Sequence, residues 1–398
     1  MLLALACAPG LSFAPAAEPR GHVAALEFTS DHRLICRNIA DVLTGGPRHP
    51  DVAWNRRANS NAPITHTGGE AARIEAVVTL DVPDLPADVP YRLEGRSAEP
   101  ALCFRHEGMT TGAGPLSAAV VSVQPLGRSV RKVRQPIQWR LTLNPDAPQP
   151  QAVDLGATGP HVVYVTLGKP RVTDDARTLV TDVRMEWAVD RVAKAQAKRG
   201  AAASTPWLVY ELMAQHSEAY LPTRHYGKEL AWKVPETWRM TPPGASCVSI
   251  VEHVALVGNM IGLEGDLAVT GFCARAAEPK KAVVGGLGDP PVRKKGADGE
   301  TWQLFLVDNM NTSKGQVGGR DGMNFYEAAL ELSFRGEKYW YPGGTNHVYD
   351  DPDRILQVFR TLAWAAYDYQ LESWIVREVV HTYSRPGDPP AVSCPLPR

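Results

Sequence analysis

Residues 242–266, PPGASCVSIVEHVALVGNMIGLEGD, hold a helix start, a helix stop and a reactive side chain in one short segment. Pro242, Pro243 and Gly244 end whatever precedes them, and Ser246 is a good N-cap. Behind it, Val248, Val251 and Ala255 join Ile250, Val254 and Val257 in a broad apolar face that runs to Met260. The pattern predicts a helix whose first residue is Cys247. Unpaired N–H groups and the positive end of the helix dipole favour a thiolate there, so Cys247 is a candidate nucleophile. His253 is not its base: six residues along a helix is about 240° around the axis, on another face.

On either side of this segment the chain has two characters. Before Pro170, short alternating runs such as RIEAVVTLDV (73–82), PIQWRLTL (136–143) and HVVYVTLG (161–168) are separated by Pro, Gly, Asp and Asn clusters. These are strand signals at sandwich spacing, and they predict an N-terminal β-sandwich over residues 18–170. The polar stretch from Gly45 to Gly69 reads as a long exposed loop. After Pro170 the period becomes helical. TDVRMEWAVDRVAKAQAK (181–198) follows an Asp-rich start, and a second helix opens at Pro206, a first-turn position. An α+β domain over residues 171–398 is expected.

Downstream of Cys247 come DLAVTGFCA, TWQLFLVDNMN, NFYEAALELSF and EKYWYPGG. A helix headed by Cys, an Ile261-Gly262-Leu263 turn and this run of strands resemble the core of the transglutaminase-like superfamily, over residues 206–344. The resemblance implies a cysteine-peptidase-type fold with a His and an Asp on the two strands that complete a triad. In this chain EAALEL (327–332) stands where the family has its His-bearing strand, so Glu327 occupies the base position, and YWYPGG stands where the Asp is expected. A shift of a few residues places Asn324 there instead. A carboxylate is a poor base for a thiol, and its charge opposes the thiolate. The resemblance therefore implies a degenerate triad and a domain that binds protein or peptide.

A second reading keeps the chemistry. GGTNHVYDDPDRIL (343–356) puts His347 on a loop ahead of Asp350 and Asp351. A Cys247–His347 pair, oriented by Asp308 or Asp350, is the constellation of a thiol enzyme that cleaves or forms amide bonds. Asp350 and Asp351 are equally placed to cap a helix running to Tyr369. A third reading makes both halves structural parts of a secreted or envelope assembly.

Composition sets the outer bounds. With 398 residues, 44% hydrophobic and 21% charged, the chain is that of a folded globular protein with room for two domains. Its 42 basic and 43 acidic residues nearly cancel, which removes the field a nucleic-acid binder needs. The clusters Arg128, Arg131, Lys132, Arg134 and Arg293, Lys294, Lys295 are too short to change this. No zinc-helix motif, nucleophile elbow or phosphate loop occurs, so neither a metal nor a cofactor is expected. No stretch reaches the length of a transmembrane segment. The first residues, MLLALACAPGLSFAPAAEPR, are apolar and small and reach a small-x-small site at Ala14-Pro15-Ala16, which predicts a signal peptide over residues 1–17 and an exported protein. Five cysteines then remain, and bridges Cys36–Cys103 and Cys273–Cys394 would leave Cys247 free.

Overall fold

The computed structural model describes residues 21–38, 41, 44–50, 53–112, 114–171, 179–217, 247–274, 282–285, 293–307, 316–317, 326–343, 348–352, 361–370, 373–382 and 396. The expected leader lies outside the described residues. The chain is a mixed α/β protein built mostly of strands, and its first half forms one large curled sheet. The strands are β1 (His22–Phe28), β2 (His32–Arg33), β3 (Trp54–Asn55), β4 (Ser60–Asn61), β5 (Ile64–Thr67) and β6 (Glu75–Asp81). They continue with β7 (Ala87–Arg96), β8 (Phe104–Thr111), β9 (Leu116–Ser122), β10 (Arg131–Leu143) and β11 (Gln151–Thr166). Their order is β2-β5-β11-β10-β7-β8-β9-β6-β1-β3-β4. All pairings are antiparallel except that of β5 with β11.

Strict alternation builds this sheet. In β6, Ala76, Val78 and Leu80 are buried, and in β9 Leu116, Ala118 and Val120 are buried, while their neighbours face outward. Register shifts in β1, β7 and β10 are bulges, which bend a strand and let the sheet curl around its own apolar face. Trp139 lies in that core, stacked on Phe104 at 5.8 Å between ring centroids. Gly95 makes room for it: a Cβ at that position would lie 2.8 Å from the Trp139 ring.

The helical segments follow as the sequence predicts. α1 (Asp182–Arg199) is capped by the Thr181 side chain, which accepts from Arg184 N, and ends at Gly200, whose φ is 94°. α2 (Thr205–Ser217) holds Pro206 in its first turn, and α3 (Cys247–Ile261) begins at the expected cysteine. The remaining strands are β12 (Asp266–Ala274), β13 (Ala282–Gly285), β14 (Arg293–Lys295), β15 (Thr301–Val307) and β16 (Gln316–Val317). After them come β17 (Tyr326–Phe334), β18 (Glu337–Pro342), β19 (Thr361–Asp368) and β20 (Ser373–Thr382). They divide into a four-stranded sheet, β13-β12-β17-β18, and a five-stranded one, β14-β15-β19-β20-β16. The three helices share one core, in which Val192, Leu212 and Val257 cluster with Tyr164 of the curled sheet, with Val130 just before β10, and with Leu330, Leu332 and Tyr341.

Several expectations are corrected. The stretch from Gly45 to Gly69 carries β3, β4 and β5, strands of two to four residues that are too short to show a period. The helix expected to run to Tyr369 is replaced in its last part by β19, which is held between β15 and β20. TWQLFLV is a strand, but it belongs to the five-stranded sheet rather than to the one that α3 covers. Cys36 and Cys103 are free thiols, not a bridge: Cys36 donates to Asn38 O at 3.1 Å and Cys103 to Ser97 O at 3.4 Å. The Cys273–Cys394 pairing falls outside the described side chains. Within the basic clusters, Arg131 pairs with Glu99 at 3.1 Å, Lys132 with Glu186 at 2.9 Å and Lys294 with Glu378 at 2.6 Å.

Candidate functional site around the Cys247 helix

α3 is positioned from its C-terminal end. Gly262 adopts φ 66°, Gly262 N donates to Asn259 O at 3.3 Å, and Leu263 N donates to Gly258 O at 2.9 Å. This pair of bonds is the Schellman closure that a glycine after the last helical residue allows. The chain leaving β11 then closes on the same turn. Leu167 N and Gly168 N donate to Ile261 O at 3.0 and 3.1 Å, and Arg171 N donates to Asn259 O at 2.8 Å. The Arg171 guanidinium donates to Gly265 O at 2.6 Å and Leu263 O at 2.8 Å. Carbonyls that a helix end leaves without partners are thus satisfied by the segment after the curled sheet. The contact is backbone on backbone: a Cβ on Gly168 would lie 2.5 Å from Gly262 O.

Beyond the turn, β12 pairs with β17 from Asp266↔Ser333 to Cys273↔Tyr326, which sets Glu327 opposite Phe272. β17 returns as β18 through Arg335 and Gly336, both at positive φ, the geometry of a tight hairpin. The last bond of this ladder described is Gly343 N to Ala328 O at 2.9 Å, one residue from Glu327. Ala328, Leu330 and Leu332 pack with Ile250, Val254 and Val257 of α3 in the helical core. Tyr341, fully buried, donates to Pro206 O at 2.9 Å and ties β18 to the first turn of α2.

The candidate residues fall as follows. Cys247 is the first residue of α3, and Glu327 is the second of β17. Asp350 is exposed and follows Tyr349, whose backbone pairs with Trp340 of β18 at 2.8 and 2.9 Å. His347, Asp308 and Asn324 lie outside the described residues. His253 is partly buried with its ring 6.0 Å from that of Trp187 on α1, an ordinary packing role. A cavity of about 380 Å³ lies at the other end of α3, lined by Leu167, Gly262, Arg128 and Arg335 among others, away from Cys247.

One polar cluster has no counterpart in the sequence reading. The Asp182 carboxylate, on the first residue of α1, meets His49 Nε2 at 3.0 Å, and Asp182 N donates to Cys36 O at 3.2 Å. Arg184, 1% exposed, donates to Leu179 O at 2.7 Å, and burial pushes its guanidinium down to about 10, so it remains charged at neutral pH. Burial, then Asp41 and Asp182, push the Cys36 thiol up, which makes it a structural thiol rather than a nucleophile. Thr181-Asp182 was legible as a helix start; His49, 133 residues away, carried no signal.

Among the described residues, no group of three or more His, Cys, Asp or Glu is placed to hold a metal ion. Among the same residues, no helix is long and apolar enough to cross a membrane. No protein-family model and no curated protein matches this chain.

Proposed function

We propose that this is an exported protein made of an N-terminal β-sandwich and a transglutaminase-like α+β domain that has lost its triad and binds protein or peptide. The observation that carries the reading is the order and packing of one unit. A helix headed by Cys247 turns at Gly262 into β12 and lies against β17 and the β17–β18 hairpin. That order supports the resemblance, which departs at one element: TWQLFLV, counted among its strands, is β15 of the other sheet. At its base position stands Glu327, and the strand after it reads YWYPGG where an aspartate is expected. The helix dipole contributes about 1 kcal/mol toward a Cys247 thiolate, and a carboxylate facing the sulfur would oppose it by a comparable amount. A binding role follows because such a site lacks a proton acceptor matched to a thiol.

The test is the pH–rate profile of iodoacetamide alkylation at Cys247, with Cys247→Ser as the blank. The expected midpoint is at or above about 8.5, with slow reaction at neutral pH, and Glu327→His lowers it. A native midpoint well below neutrality overturns the binding-domain reading and moves the protein to the thiol enzymes, with His347 the first residue to replace. Export has its own test. N-terminal sequencing of protein from the envelope or medium of the producing cells should start near Ala17, and an intact Met1 in the cytosol refutes it.

A further inference from the structure

The outer face of β1, β6 and β9 holds two unfavourable features side by side. Register aligns Glu27 with Val77 and Val77 with Ala119 in one row, and Glu75 with Val121 in the next. Val77 and Val121 are each 44% exposed and Val123 is 50% exposed, in a protein whose other strand aliphatics mostly face the core. A concavity of about 340 Å³ crosses these rows and is bordered by Glu27 and Glu75. Glu27 and Glu75 hold diagonal positions on the sheet, with backbone sites about 7–8 Å apart, so two like charges share one small area.

Neither Glu27 nor Glu75 forms an ion pair with a described residue, and the two adjoining arginines are engaged elsewhere. Arg105, across from Val121, is bonded to Glu107 at 2.8 Å. Arg73 donates to the carbonyls of Ser122 and Val123. We infer that the outer face of β1, β6 and β9 is a docking surface for a partner protein, through a segment that presents aliphatic side chains flanked by Lys or Arg. Such a segment covers the exposed valines and neutralises the carboxylates together. Anionic lipid carries the wrong sign. A second copy in two-fold contact would add two more carboxylates to the pair already there, which disfavours self-pairing. The surface is on the curled sheet, so it stands independently of what Cys247 does.

The test uses the full chain and three fluorescent hexapeptides, RVRVRV, SVSVSV and EVEVEV, with affinity read by anisotropy. The arginine peptide is expected to bind about tenfold more tightly than the serine peptide, the combined worth of two partly exposed ion pairs, and the acidic one not to bind. Glu27→Gln with Glu75→Gln should remove that advantage, as should 0.5 M salt, roughly a tenfold rise over a dilute buffer. Val77→Lys should weaken the arginine peptide further, while Cys247→Ser leaves it unchanged. The melting temperature of the double Gln variant should stay level or rise. Equal binding of the arginine and serine peptides, no binding by either, or retention in the double variant overturns the inference. So does a marked fall in that variant's melting temperature, which would make the carboxylates structural, and so does concentration-dependent dimerisation through this face.

Discussion

His161 should make this protein's stability fall steeply as the pH drops from 6.5 toward 4. The imidazole is 2% exposed in the core of the curled sheet, with the Phe28 ring 5.1 Å away and, among the described residues, no carboxylate bonded to it. Its Nε2 meets Thr158 Oγ1 at 2.8 Å, and the same oxygen accepts from Trp139 Nε1 at 2.9 Å. With the indole donating, the Thr158 hydroxyl has its own proton to give, so the neutral ring that accepts at Nε2 completes the chain. Protonation removes that acceptor and leaves a charge in an apolar site. Burial accordingly pushes His161 down from 6.5 to about 4. Because the folded value lies below the unfolded one, the unfolded chain binds the proton first as pH falls. The stabilising contribution is complete above about 6.5, declines through the window and is lost below about 4, for a total of about 3 kcal/mol. Urea unfolding at pH 4.5, 5.5 and 7.5, native against His161→Gln, isolates this from the carboxylates that both proteins share. The stability difference should shift by roughly 1.4 kcal/mol per pH unit inside the window and be flat above it. A difference constant across all three values, or an imidazole titrating near 6.5 by NMR, refutes the reasoning.

Replacing Gly262 by Ala should cost about 2–4 kcal/mol by urea titration, since the new Cβ would lie 2.3 Å from Gly168 backbone atoms at a φ of 66°; a loss under 1 kcal/mol would show that the turn can open. Arg199→Ala should cost about 1–3 kcal/mol in thermal or urea unfolding, because the 6%-exposed Glu211 carboxylate loses its 2.6 Å guanidinium partner and retains only Lys198 at 3.3 Å; an unchanged midpoint would refute the pairing. In native protein, an alkylating reagent should modify Cys103 and leave fully buried Cys36 untouched until denaturant is added; a Cys36–Cys103 disulfide in non-reducing peptide maps would contradict both free thiols.

The sequence shows its fold most clearly where one short-range signal dominates. β6 and β9 alternate in steps of two, α1 begins behind a threonine cap, and α3 begins behind a proline–glycine break, so each could be read from a dozen residues. Elements defined by distant partners were not legible in this way. TLAWAAYD has neither a clean period of two nor one of 3.6. Its identity as β19 comes from β15, about sixty residues earlier, and from β20 after it. β3 and β4 are two residues each: β3 exists because β1 presents an edge to it, and β4 because β3 does. Cysteine pairing failed for another reason: counting thiols fixes how many bridges can form, but nothing about which sulfurs approach. The candidate site divides along the same line. Cys247 was visible because a helix start is local, whereas the His49–Asp182 contact spans the chain.

The clamp at Gly262 bears on how a site at the far end of α3 is held. Fifteen residues make a helix about 22 Å long, so a small rotation at its C-terminal end is magnified at Cys247. That end is fixed by five backbone or guanidinium bonds from residues 167–171, and a Cβ on Gly258 would lie 2.3 Å from a Leu267 methyl, so β12 packs hard against the helix. Apolar contacts alone, being non-directional, would allow the helix to slide along β17. Directional bonds at its base remove that freedom, and they come from the segment that leaves the curled sheet. The orientation of the Cys247 helix is thereby set by β11 as much as by the sheet beneath it. A side chain at Gly168, whose Cβ would lie 2.5 Å from Gly262 O, is therefore expected to disturb the base of the Cys247 helix although it is remote in sequence.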